Sequence, residues 1–164
     1  MRTIIELLLK ELESEVALAK KMISVIPEDK FSWQPHPKSM SVKQLATHIG
    51  ELPGWIGMVL TTKELDFENN PYKPRDINTL QGLLDYLEES YQYGKRELEK
   101  STDRGILEEN WILRSGKMIF SDTSKYEFLR ITLGQIIHHR AQLGVFMRLL
   151  DVKIPGTYGP SADE

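Results

Sequence analysis

S-K-Y-E-F-L-R-I-T-L-G-Q-I-I-H-H-R-A-Q-L-G-V-F-M-R-L-L, running from Ser124 to Leu150, is the stretch on which the fold turns. On a helix of 3.6 residues per turn, Phe128, Ile131, Gln135, His139, Gln142, Phe146 and Leu149 recur at steps of three and four and share one face. Gln135, His139 and Gln142 therefore interrupt an otherwise apolar stripe. Burying an amide or an imidazole without a bonding partner costs about 1–3 kcal/mol, so the pattern predicts a partner for each. That partner is either a metal ion or another side chain. The first makes the chain a candidate enzyme, and the second makes it a bundle with a satisfied polar cluster.

Working outward, Ser124-x-x-Glu127 is a capping box that starts this last helix. Before it, W-I-L-R-S-G-K-M-I-F holds two short β-prone runs around Ser115-Gly116, which predicts a small hairpin or an extended excursion over one mouth of a bundle. A third helix, capped by Asn78, carries Leu80, Leu83, Leu84, Leu87, Tyr91, Gly94 and Leu98 and closes near Ser101. The polar stretch from Thr61 to Asp76 contains Pro71 and Pro74 and suits a crossover between helices. A second helix opens at the Ser41–Gln44 capping box, and its inward face holds Leu45, His48, Leu52, Trp55 and Val59, with Pro53 inside it as an expected kink. The first helix is expected over residues 3–26, with Ile5, Leu8, Leu12, Val16, Ala19, Ile23 and Ile26 as its stripe and Pro27 as its stop. The segment after Pro27 should be irregular and pinned by Phe31 and Trp33, with His36 a loop residue. The tail after Asp151 should be extended and packed through Ile154 and Tyr158. Four amphipathic helices in one 164-residue domain read as an all-α four-helix bundle.

Composition narrows the function classes. The formal charge is −3 and the sequence pI about 5.9, without a clustered excess of Lys and Arg, which argues against nucleic acid or an anionic membrane as partner. Cysteine is absent, which removes disulfides, thiolate metal sites and a Cys nucleophile and suits a reducing compartment. Glu6, Lys10 and Glu11 interrupt the N-terminal apolar run, so it is read as a mature cytoplasmic start.

The sharp chemical reading joins His48 to His139 and Gln135. Residues four apart point the same way, so Gln135 and His139 can share an ion, with His48 arriving from a facing helix. Three ligands and an open position would acidify a bound water. Against this, a glutamine offers only an amide oxygen, and a buried histidine is usually just hydrogen-bonded. Glu51 is read as a helix-surface carboxylate, with a ligand or general-base role as the alternative. His138, about 100 degrees around the helix from His139, cannot face the same ion and is read as packing or bonding at a helix interface. Gln142 is read as a pocket group or a support behind the ligands, Arg140 as either that or a surface ion pair, and Trp55 as core or pocket wall.

H-H-R-A-Q-L at 138–143 and V-F-M-R-L-L-D-V-K-I-P-G-T-Y-G-P-S-A-D-E at 145–164, together with W-Q-P-H-P-K-S-M-S-V-K-Q-L-A-T-H-I-G-E-L-P-G-W at 33–55, make the chain resemble the DinB family of metal-binding four-helix bundles. The resemblance implies an up-down-down-up bundle with a long crossover between the second and third helices, and a homodimer. It implies three histidine ligands for a divalent ion, nickel, zinc or iron. His48 matches the first, His139 the last, and Gln135 stands where the remaining histidine is usual. Enzymes resembling this family include transferases that use a low-molecular-weight thiol such as bacillithiol, mycothiol or glutathione, and the family also carries the label of metal-dependent hydrolase. The runner-up is a non-catalytic, stress-associated or ligand-binding bundle. A nucleic-acid role, suggested by the family's association with DNA damage, runs against the acidic balance.

Overall fold

Every long helix begins at a hydroxyl that takes up an unpaired backbone N–H. The computed structural model describes residues 2–164 and places four such helices in it. Thr3 opens α1 (Ile4–Ile23), Ser41 opens α2 (Val42–Thr61) and Ser124 opens the last helix, each in a reciprocal capping box with Glu6, Gln44 or Glu127. The remaining long helix, α3 (Leu80–Glu99), starts at Thr79, whose hydroxyl accepts from the Gly82 N–H. That corrects the expected cap by one residue. Asn78 instead accepts from Lys43 Nζ at 2.8 Å and donates to Asp76 at 3.2 Å, tying the crossover to α2. α1 also ends three residues earlier than expected, at Ile23, with the Ser24 hydroxyl bonded back to the Lys20 carbonyl.

The expectation of an all-α four-helix bundle with a small hairpin before the last helix accounts for the long helices and the hairpin, but not for a short fourth helix or a third strand. Thr102 caps a short α4 (Asp103–Glu108), and three strands form a small sheet: β1 (Glu64–Asp66), β2 (Asn110–Ser115) and β3 (Met118–Ser124). β2 and β3 make the anticipated hairpin, with a bulge between Leu113 and Arg114, while β1, inside the polar crossover, pairs parallel with β2. The α5 helix then runs from Lys125 to Leu149.

Two contacts fix the sheet. Trp111 is fully buried, donates from Nε1 to the Thr62 hydroxyl at 2.9 Å and lies 4.4 Å from the Phe128 ring, anchoring β2 to α2 and α5. Asp66 accepts from the Gly116 N–H at 2.9 Å and the Glu68 N–H at 3.0 Å, and these bonds hold its carboxyl below the usual range. Gly116 adopts a φ of 56°, and a Cβ there would stand 2.0 Å from the Glu68 carboxylate, so the turn requires glycine.

α2 packs along α3 and α5, while α1 meets α3 and α5 and only brushes α2. The α2–α3 approach is close enough that a Cβ on Gly94 would lie 2.2 Å from the Pro53 carbonyl oxygen. The core is formed by Leu8, Leu12 and Ile23 of α1, Leu45, Ile49 and Ile56 of α2, Leu83 and Leu87 of α3, and Leu129, Leu133 and Ile136 of α5.

The buried side of α5 is rotated from the expected one. Phe128, Leu129, Thr132, Leu133, Ile136, Arg140, Leu143 and Met147 face the core, whereas Ile131, Gln135, Gln142 and Leu149 are exposed and His139 is half-buried. α5 is apolar on more than one side, so steps of three and four fit two faces. Gln135 and Gln142 consequently escape the desolvation that the sequence reading assigned to them.

Arg140 is also not a surface group. It is buried, donates to the buried Glu15 of α1 at 2.5 Å and to the Tyr158 hydroxyl at 2.7 Å, and that hydroxyl in turn donates to Glu15 at 2.8 Å. The tail is thus latched to the bundle through Tyr158, and a second ion pair, Arg148 with Asp163 at 2.6 Å, holds its end. His36 is an exposed loop residue that accepts from the Lys38 N–H at 3.1 Å.

Candidate functional site

His48 stands on the second turn of α2, on the flank that faces α5. The two helices bring the His48 and His139 rings to 4.7 Å between centroids, edge to face at 74°. Both rings, with Gln135, border one cavity of about 570 Å³ between α2, α5 and the hairpin. Leu52 and Trp55 of α2, Phe128 and Ile131 of α5, and Leu113 and Phe120 of the hairpin form its apolar walls.

Each imidazole is held from behind. His48 Nδ1 lies 2.6 Å from Glu51 Oε1, one helical turn on, and the Tyr72 hydroxyl of the crossover donates to the same oxygen at 2.7 Å. A carboxylate oxygen accepts, so the hydrogen belongs on Nδ1 and Nε2 is left as the basic nitrogen. His139 Nδ1 lies 2.8 Å from the amide oxygen of Gln142, again one turn on, which assigns the same tautomer. Burial pushes His139 below the ordinary histidine value of 6.5, the neighbouring His48 and His138 push the same way, and the bond to Gln142 opposes them. His139 is therefore neutral near pH 7. Burial, with the Glu51 carboxylate, drives the Tyr72 hydroxyl above its ordinary value, so it stays a donor.

Glu51 is the residue whose position the sequence reading mistook. It is buried rather than a surface carboxylate, because Tyr72 and His48 occupy both of its open sides. A glutamate at i+3 from a histidine was the available signal; Tyr72, in a proline-rich linker, gave none. His138 is exposed within the chain, 4.9 Å from the His139 ring and off the cavity, rather than packed at an interface between the chain's own helices. Gln142 serves His139 instead of the cavity, and Trp55 is a half-buried wall.

The donors available to a metal ion are two imidazoles with their Nδ1 positions already engaged and one amide oxygen. Among the described residues no group of three His, Cys, Asp or Glu side chains is placed to hold an ion. The set fits a divalent cation that accepts neutral nitrogen and oxygen, and the hydrogen-bonded carboxylate behind His48 is the support that metal-bound histidines ordinarily have.

Bundle, crossover and paired-imidazole cavity define a helical class with a small capping sheet. The model of the DinB family matches residues 1–164, and the chain belongs to that family. Solved structures agree on the fold. A DinB-like protein from Bacillus cereus ATCC 10987 superposes with a TM-score of 0.71 at 21% identity, covering 95% of this chain and 98% of that one. A DinB-like protein from Bacillus subtilis gives 0.71 at 17% identity, over 92% and 97%. A protein assigned to the DinB family from Exiguobacterium sibiricum 255-15 gives 0.67 at 20% identity, over 93% and 95%. A search of curated proteins finds no match. No helix among the described residues is long and apolar enough to cross a membrane.

Proposed function

We propose that the chain is a divalent-metal-dependent enzyme of the DinB type, a low-molecular-weight-thiol S-transferase or a hydrolase, in which His48, His139 and the amide oxygen of Gln135 hold the ion. The observation that carries this reading is the approach of two imidazoles, 4.7 Å apart, at the edge of a cavity large enough for a small molecule. A bound divalent ion would acidify a water or a thiol, so no side-chain base is required for that step. The chain's own residues do the rest. Glu51 and Gln142 fix the tautomers, and the apolar walls hold the substrate. The up-down-down-up order, a nickel, zinc or iron ion, a cytoplasmic setting and a homodimer belong to the same reading. Exposed Ile131, Val145 and Leu149 on α5 support the dimer, which the mass of the protein in solution tests.

Elemental analysis of the purified protein and of His48→Ala and His139→Ala tests the metal reading. Bound ion in the first and loss in both variants is expected. Equal content in all three discards the site and leaves the non-catalytic bundle.

A further inference from the structure

Four other cavities on the molecule each present at least one Lys, Arg, Asp or Glu. Beneath the tail it is Arg140 and Arg148, between α2 and α3 it is Arg75, Glu51 and Glu89, and the other two mix both signs. The cavity beside His48 and His139 has none. Its walls are three aliphatic side chains, Leu52, Leu113 and Ile131, and the aromatic side chains of Trp55, Phe120 and Phe128. The hydroxyl of Thr132 is already used, donating to the Phe128 carbonyl at 3.0 Å. Polar atoms are therefore gathered at the imidazoles and Gln135, with Ser121 on the hairpin.

An ionised group drawn into the metal-free cavity loses its water and meets no oppositely charged side chain on the lining, whereas an apolar body gains from leaving water. We propose that this cavity takes an uncharged, largely apolar small molecule, one or two rings or an equivalent acyl chain, whose single polar group faces His48 and His139. Phe120 and Trp55 set the selectivity, and the anionic ends of any thiol co-substrate remain outside the walls. The proposal rests on the functional reading above for the role of the site, but the selectivity belongs to the walls alone.

Calorimetric titration with methyl 2-naphthoate and with the 2-naphthoate anion tests it, both in the presence of a chelator so that no ion contributes. The ester is expected to bind at least tenfold more tightly than the anion and to shift the imidazole resonances of His48 and His139. Phe120→Ala, at a side chain 54% exposed on the outer strand of the sheet, should keep the helical circular dichroism and weaken the ester at least fivefold. Gln135→Lys, which adds a cation at the cavity, should narrow the preference for the ester. Equal or tighter binding of the anion, or no binding of the ester, overturns the proposal. Retained ester preference in a protein that never binds metal would sink only the metal reading, and metal binding without ester preference would sink only this one.

Discussion

One helical turn separates His48 from Glu51, and one separates His139 from Gln142. In both cases the later residue accepts from Nδ1, so helix geometry alone presets the nitrogen each ring offers. Glu51→Ala should leave the helical circular dichroism intact and weaken metal binding by about 10–100-fold, the usual cost of removing such a support. Unchanged affinity by calorimetry would show that Glu51 has only a packing role. His139 should titrate below 6.5 when followed by its imidazole proton resonance. The unfolded chain then takes up this proton before the folded one, so stability is full above about pH 6.5 and falls as pH drops through the lower folded value. At this scale the spacing of His48, Gln135 and His139 was readable from periodicity. The burial of Glu51 was not, since it depends on Tyr72 reaching back from a loop whose path no local pattern dictates.

The elements were legible where caps and stripes agree. Ser41–Gln44 and Ser124–Glu127 place the starts of α2 and α5 because a capping box is a local hydrogen-bond pattern. β1 was hidden, because its three residues form a strand only when β2, far along the chain, lies beside them. The inward face of α5 was ambiguous for a different reason: a helix apolar on two sides does not announce which side the bundle takes. Packing between elements gives the sharpest mutational expectation. Gly94→Ala would put a methyl 2.2 Å from the Pro53 carbonyl oxygen, and prising α3 from α2 should cost about 1–3 kcal/mol in urea denaturation. A neutral result would mean that the two helices have room to separate.

Across the whole molecule, the buried Arg140–Glu15 pair and the Tyr158 hydroxyl tie α5, α1 and the C-terminal tail into one unit. Arg140→Ala leaves a buried carboxylate unpaired and should destabilise by about 3–5 kcal/mol, while Arg140→Met with Glu15→Leu should recover much of it. Equal loss in the single and double variants would mean that the pair is not what Arg140 contributes. The central claim concerns another side of α5 at the same level, where two imidazoles from different helices meet. Pulsed electron paramagnetic resonance of the protein with one equivalent of Cu²⁺ counts coordinating imidazoles directly. Two are expected in the native chain and one in either His48→Ala or His139→Ala; a signal from one imidazole or none in the native chain would contradict the shared site.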